Sequence, residues 1–250
     1  DAADKDFSGT VTVDNITIGG NISQDSGTVK LDGNFPTGTG NVALGDAALD
    51  DGSLSGAANT AIGSSALSAN TTADNNTAVG STALGANTTG TANSSLGQFA
   101  LGANTTGGQN TAAGRYALGA NTTGGSNTAF GNEALNTNQT GSNNTAVGAY
   151  ALDANNNASN NTAVGKDALG GNTTGNENVA VGVNALKVNT VTDRNVAVGV
   201  DALFSQTDGS GDSYNVAVGH SALLSNTTGT LNVAVGGLAL DANTTADANV

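Results

Sequence analysis

Few side chains in this sequence have the type and spacing that chemistry requires. The 250 residues contain one His, His220, and no Cys. A Ser-His-Asp site would therefore have to use His220, and neither a thiolate site nor a histidine metal cluster can form within one chain. The adjacent carboxylates Asp50 and Asp51 lie in a predicted loop, where acidic residues are ordinarily solvated. We expect no catalytic residue, no cofactor and no bound metal.

One spacing is similar to part of a calcium site. Asp208 and Asp212 are separated by Gly-Ser-Gly, as carboxylates are in the first half of an EF-hand loop. The later Gly and Glu of that loop are missing. The segment also coincides with the longest irregularity in an otherwise regular repeat. A plain surface loop is favoured over a cation site.

Three aromatic residues occupy the same position of that repeat, namely Phe99, Tyr116 and Tyr150. If the repeats are stacked coils, these rings share one outward face. Exposed aromatic rings can stack on sugars or contact another protein. The three residues are the candidate recognition site for a host glycan or protein receptor, and the alternative is that they fill a position that tolerates any side chain.

The charge balance excludes two classes of partner. The chain has 20 acidic and 6 basic residues and a net charge of −14. Nucleic-acid binding needs clustered Lys and Arg that replace phosphate counterions, and an acidic surface also disfavours anionic membranes. No apolar run approaches the length of a membrane span. We expect neither nucleic-acid binding nor membrane insertion.

All these residues are positioned by a repeat, Asn-x-Ala-x-Gly-x-x-Ala-Leu, which occurs twelve times. Its step is seventeen, as from Gly63 to Gly80, except for one step of eighteen and one of twenty. We number each unit from its Gly as position 0, so that Asn stands at −4 and Leu at +4. So short a unit is buried only by its neighbours, which predicts one coil of a solenoid. Representative structural residues are Asn59, Gly63, Leu67, Asn76, Gly80, Leu84, Asn178, Gly182 and Leu186.

The pattern within a unit predicts two strands and two turns. Positions −4 to −1 alternate, with β-branched residues at −3 and −1 on one face and Asn and Ala at −4 and −2 on the other. Gly at 0 ends this strand, and Ala-Leu at +3 and +4 begins a second strand or edge. Asn-Thr-Thr-Gly then forms a turn. The predicted fold class is all-β, a stacked parallel β-roll or β-solenoid in which each repeat unit is one coil.

The same pattern predicts what fills the coil. Leu at +4 and the apolar residues at −1 are expected to supply most of the interior. Ala at −2 and +3 indicates a close approach, either by the opposite wall of the coil or by a second chain. Asn at −4 forms an amide ladder along the axis or caps its own turn. A coil this thin is marginal alone, which favours oligomers.

The units resemble the head repeats of YadA-like trimeric autotransporter adhesins. The residues that carry the resemblance are Asn41-Val-Ala-Leu-Gly45, Asn59-Thr-Ala-Ile-Gly63 and Asn178-Val-Ala-Val-Gly182. The resemblance covers residues 41–250 and implies a left-handed parallel β-roll and a homotrimer around a threefold axis. The family's units are usually shorter than these, and the additional residues fall in the Asn-Thr-Thr-Gly turn.

The N-terminal segment, residues 1–40, differs in character from the repeat. Thr10 to Asn21 and Gly27 to Gly33 alternate like strands and resemble segments of tail fibres from tailed, particularly marine, phages. We predict a connector over residues 1–40 and a repeat array over 41–250 that continues into a truncated thirteenth unit.

The expected function is a structural one. We predict a trimeric shaft of a virion tail fibre or appendage that extends a host-binding end, with other virion or surface-fibre proteins as partners. The alternative is the head of a bacterial surface adhesin that binds matrix protein or glycan through its lateral face. A third interpretation, an ice-binding face of Thr residues, is disfavoured because Thr at −3 gives way to Val after Thr162.

Overall fold

The computed structural model describes residues 39–207 and 211–250. Within these ranges the chain forms fourteen short strands and no helix. Twelve strands, one per coil, form a single parallel sheet, and the other two form a small second sheet. The strands are β1 Val42–Leu44, β2 Thr60–Ile62, β3 Thr77–Val79, β4 Ser94–Leu96, β5 Thr111–Ala113, β6 Thr128–Phe130, β7 Thr145–Val147, β8 Thr162–Val164, β9 Val179–Val181, β10 Thr192–Asp193, β11 Val196–Val198, β12 Gly211–Asp212, β13 Val216–Val218 and β14 Val233–Val235.

Neighbouring strands of the main sheet pair in phase with the repeat. Thr60 lies opposite Thr77 and Ala61 opposite Ala78. The same positions still meet across the longest step of the repeat, where Val196 lies opposite Val216. At a strand spacing of about 4.8 Å, the eleven steps between twelve strands make a stack about 53 Å long. The chain is an all-β parallel β-solenoid, which confirms the predicted fold class.

The repeated Gly ends each strand with a backbone conformation that other residues avoid. Its φ is 130° at Gly63, 137° at Gly80 and 140° at Gly182. A Cβ on Gly80 would also lie 2.5 Å from the carbonyl oxygen of Gly97 in the next coil. Both the backbone angle and the closeness of the next coil therefore require Gly at position 0.

The predicted second strand is wrong. The segment after each Gly is a left-handed turn, because positions +2 and +4 both have positive φ. In the coil of Gly80 these are Thr82 with φ 57° and Leu84 with φ 51°. A residue with positive φ cannot extend into a strand. The turn instead directs the Leu side chain inward, and Leu67, Leu84 and Leu186 are all fully buried.

The interior is filled by two Ala columns and one Leu column. In the coil of Gly80, Ala78, Ala83 and Leu84 have no exposed surface. The expectation that residues at −1 fill the interior is wrong, because strand alternation points −1 outward when −2 points inward. The Ala columns mark the close approach of the two walls of one coil. Between the two end coils their burial within a single chain is complete or nearly so, so they indicate no second chain.

Asn at −4 joins successive coils through backbone groups. The side-chain Oδ1 of Asn59 accepts a hydrogen bond from the backbone N–H of Asn76 at 2.9 Å. The Nδ2 of Asn76 donates to the carbonyl of Gly90 at 2.9 Å, and Asn178 repeats the pattern. The predicted amide-to-amide ladder is therefore not the main arrangement at this column. Each Asn satisfies backbone groups of two coils, as buried polar groups require.

A side-chain amide ladder does exist, but at position +7. Asn104 Nδ2 donates to Asn87 Oδ1 at 2.8 Å, and Asn121 Nδ2 donates to Asn104 Oδ1 at 2.7 Å. These residues were predicted only as turn formers. That role is also present, since Asn104 Nδ2 bonds the carbonyl of Gly107 at 2.9 Å. We call this column the amide ladder.

Two predictions lie outside the described residues. The connector predicted over 1–40 falls almost wholly on residues 1–38. The Asp208 to Asp212 loop includes residues 208–210, and only Gly211 and Asp212 of that segment are described, as strand β12 paired with β10.

Candidate interaction surface

The outward face of the main sheet is an uncharged surface that runs through every coil. It consists of the side chains at −3 and −1 of all twelve strands, and none of them is charged. Leu96 is 58% exposed, Phe130 44% and Val235 70%. The chain has a net charge of −14, yet these two columns of side chains are uncharged and largely apolar in every coil. They therefore differ in character from an ordinary charged protein surface. We call these two columns the outward face.

The outward face changes composition along the rod. From Thr60 to Thr162, position −3 is Thr or Ser. From Val179 onward both outward positions are Val, and the strands read Val-Ala-Val four times. Val183 and Val200 at position +1 are each about two-fifths exposed beside the Val strands. The C-terminal part of the outward face is therefore more apolar than the N-terminal part.

A depression lies on the outward face at strands β3 to β6. Position −1 carries Ala113 on β5, between Leu96 on β4 and Phe130 on β6. The short side chain leaves a cavity of about 280 Å³ that opens on the outward face. We call it the notch. Its lining residues are Thr77, Val79, Ser94, Ser95, Leu96, Thr111, Ala112, Ala113 and Phe130.

The three predicted recognition residues are only partly brought together. The rings of Phe99 and Tyr116 stack with centroids 5.0 Å apart and planes 5° from parallel. The guanidinium of Arg115 lies 4.5 Å from the centroid of Tyr116 and is paired with Glu133 at 3.7 Å. Tyr150 lies two coils beyond Tyr116, with the coil of Glu133 between them.

This stacking bears on what the aromatic residues can recognise. Phe99 covers a face of the Tyr116 ring, and Arg115 is also stacked on that ring. Phe99, Tyr116 and Tyr150 are half-buried rather than exposed, and all have φ between 56° and 60°. A sugar stacks on the face of an aromatic ring. The Phe99–Tyr116 pair uses one face of each ring for its own stack, and Arg115 lies over the Tyr116 ring, which reduces the ring face left for a ligand.

The turn threonines at position +8 are engaged in the coil stack. The hydroxyl of Thr71 donates to the carbonyl of Thr88 at 3.0 Å, and Thr88 donates in the same way to Thr105 at 3.1 Å. An ice-binding face presents an array of free Thr hydroxyls. This column bonds successive coils instead, which further disfavours that interpretation.

The longest step of the repeat is held by a charged cluster on the surface. Arg194 donates to Glu177 at 2.9 Å and also bonds Asp212, which accepts from the Tyr214 hydroxyl at 2.9 Å. The hydrogen bond to Glu177 and then the charge of Asp212 raise the pKa of Arg194. Asp212, the described carboxylate of the Asp208 to Asp212 loop, is therefore paired with an Arg.

The amide ladder continues through the same step. Gln206 replaces Asn at position +7 and is fully buried. Its Oε1 accepts from Asn226 Nδ2 at 2.7 Å and from Asn215 Nδ2 at 3.3 Å. The additional methylene of Gln lengthens the reach of the side chain in the coil whose loop is longest.

The remaining titratable candidates lie apart from one another. His220 is exposed at position +1, as the repeat predicts. Burial, followed by the nearby charges of Asp167 and Glu133, raises the pKa of the half-buried Asp153. Among the described residues, no three His, Cys, Asp or Glu side chains are placed to hold a metal ion. The described part of the chain also has no helix that could cross a membrane.

Comparisons with known proteins identify no relative. No family model, no curated protein and no solved structure matches the chain. The fold and the surface together define the class to which the chain belongs, that of parallel β-solenoids, here with one uncharged apolar face.

Proposed function

We propose that this chain is a structural fibre protein that self-associates as a trimer through the outward face. Its role is the shaft of a virion tail fibre or appendage, which holds a host-binding end away from the particle. The observation that carries the proposal is the line of uncharged side chains at −3 and −1, unbroken over twelve strands. The resemblance to YadA-like head repeats supports three chains around one axis.

The absence of charged side chains supports self-association through the outward face rather than through another surface. Identical chains with a net charge of −14 repel each other wherever their acidic residues meet. The outward face is free of charged side chains, so copies can approach there without that repulsion. Association also removes apolar side chains such as Leu96 and Val235 from water.

The interior supports a mechanical role. Every coil is joined to the next by strand pairing and by Asn at −4, and most are also joined by the amide ladder. Stacked coils carry an axial load in series, so the load at each interface is shared by the hydrogen bonds of that interface, and nearly the same set of bonds recurs from coil to coil. A rod of this kind suits a shaft.

The test of self-association places charges on the outward face. We expect Val181→Lys/Val198→Lys to abolish the trimer and leave the circular dichroism spectrum unchanged, because both side chains point away from the interior. The matched control is Thr140→Lys/Asn157→Lys, which adds the same charge at two exposed turn positions. Sedimentation equilibrium measures the mass of all three chains. A folded monomer in the unsubstituted chain would contradict the proposal.

A second experiment separates the shaft from the adhesin head. Antibodies against the rod should label fibres on virus particles in the source culture. Labelling confined to bacterial cell surfaces would favour the adhesin instead.

A further inference from the structure

The outward face contains two sections that differ at position −3. Strands β2 to β8 carry Thr or Ser there, and we call them the Thr section. Strands β9, β11, β13 and β14 carry Val at both −3 and −1, and we call them the Val section. Position −1 is apolar in both sections. The sections therefore differ chiefly by one column of hydroxyl groups.

The hydroxyls of the Thr section are not used by the coil. Thr at +8 bonds the next coil, as Thr88 does through its hydroxyl. Within the described residues, by contrast, the side chains of Thr77, Thr128 and Thr145 form no hydrogen bond. All three are exposed or half-buried, so their hydroxyls are open to water. A hydroxyl both donates and accepts, and water satisfies both capacities here.

Contact between two copies therefore has different consequences in the two sections. In the Val section it removes only apolar groups from water, which is favourable. In the Thr section a dry contact would also remove hydroxyls from water, and a hydroxyl without a new partner costs more than its neighbouring methyl group gains. Leu96 and Phe130 at −1 project further from the sheet than Thr does, which keeps facing hydroxyls apart. Waters that bridge the copies avoid the cost.

We propose that copies of this chain bind one another chiefly through the Val section, while the Thr section keeps a layer of water between them. The inference rests on the proposed self-association and names the part of the outward face that binds the second copy. Val183 and Val200 at +1 add exposed apolar surface beside the same strands. The free energy of association is thus concentrated in four of twelve strands, as it is in a minority of residues at most interfaces.

This division does not depend on one axial alignment of the copies. Successive strands of the Val section present the same two side chains, as Val196 and Val198 do on β11 and Val216 and Val218 on β13. A shift of one coil, about 4.8 Å, still sets Val against Val over most of the section. Any alignment in which the Val sections overlap gives the same dry contact.

The test places one charge in each section of the full chain. Val198→Lys lies in the Val section on β11, and its matched control Val147→Lys lies in the Thr section on β7. Both replace Val at position −1, and each strand is the second from the boundary between β8 and β9. Sedimentation equilibrium gives the dissociation constant of each variant, and circular dichroism reports its fold. Val198→Ala and Val147→Ala repeat the comparison without adding charge.

The expected effects differ between the sections. Val198→Lys should raise the dissociation constant by about a hundredfold or more, because the ammonium group loses its water in a dry contact. Val147→Lys should change it by less than about threefold, since bridging water remains around the charge. Val198→Ala should raise the dissociation constant by about tenfold or more, and Val147→Ala by about twofold at most.

The outcomes separate this inference from the proposed function. Equal losses of affinity in the two sections, or a larger loss in the Thr section, would show that the Val section is not the main contact, while self-association would stand. If the unsubstituted chain is a folded monomer, the proposed function itself is wrong, and this inference is wrong with it.

Discussion

The two faces of each strand follow opposite rules. The inward face is nearly identical in every coil, with Asn at −4 and Ala at −2, as in Asn76 and Ala78. The outward face of the same strand varies from Ala113 to Phe130 at one position and from Thr to Val at the other. The inward residues have fixed hydrogen-bond partners and no spare volume, whereas the outward residues meet solvent or another chain. Constancy therefore marks what holds the coil together, and variation marks where specificity can lie.

The largest expected effect tests the inward face. Leu118→Ala removes a fully buried side chain at position +4 and should lower the free energy of unfolding by about 2–5 kcal/mol. The matched control is Leu231→Ala, because Leu231 is 55% exposed, lies outside the outward face and, like Leu118, has a positive φ. Urea unfolding at equal protein concentration measures both. Equal losses in the two variants would contradict the role of the Leu column in the interior.

The next effect tests the amide ladder. Asn104→Ala removes the acceptor of Asn121 and a donor to Gly107, both in buried surroundings. The expected loss is about 1–3 kcal/mol, the usual result of leaving a buried polar group unsatisfied. Asn157→Ala, an Asn in an exposed turn, is the control and should change stability little. A ladder that contributes nothing would give the same midpoint in both.

The smallest effect concerns residues that belong to neither face. Tyr116→Ser removes the ring stacked on Phe99 and should reduce stability by about 0.5–1.5 kcal/mol more than Tyr150→Ser does. Both residues stand at position +2 with positive φ, so backbone strain is matched between the variants. Thermal unfolding of the two variants, measured side by side, gives the difference.

A glycan array then tests recognition by the same residues. Because Phe99 and Tyr116 stack on each other, we expect Phe99→Ser/Tyr116→Ser/Tyr150→Ser to bind the array as the unsubstituted chain does. Loss of binding to a particular glycan would restore the aromatic residues as a recognition site.

The sequence predicts the fold well because its constraints are local and repeated. Asn59 bonds backbone groups, Gly63 adopts a positive φ and Leu67 fills the interior. The same residue types recur at these positions in all twelve units, which makes the pattern easy to recognise. The turn after Gly was predicted wrongly as a strand, because Ala-Leu is compatible with several backbone conformations and the sign of φ at Leu67 has no compositional signature. The apolar residues at −1 resemble interior residues by composition, but the thin coil places the small Ala at −2 inside, and strand alternation then turns −1 outward.

The candidate surface is harder to predict, for a different reason. The amide ladder had a visible signal, the recurrence of Asn at +7, but recurrence alone does not separate a turn former from a ladder. The notch had almost no signal in the sequence. Ala113 and Phe130 are both apolar, as position −1 requires, and they form the notch only because their strands are neighbours. The Phe99–Tyr116 stack could be predicted from their spacing of one repeat, but the cation over Tyr116 could not.

The short sequence separation between paired strands has a kinetic consequence. Residues that pair in the main sheet, such as Thr60 and Thr77, are separated in the chain by only one repeat unit in every coil. Relative to the length of the whole chain, that separation corresponds to a relative contact order of about 0.07, a value typical of helical bundles rather than of β-sandwiches. Each coil closes only a short loop onto a finished neighbour, so the slow search for distant strands that delays most sheet proteins does not arise. An all-β chain of this design should fold outward from its first correctly formed pair of coils, at a speed usually associated with helices.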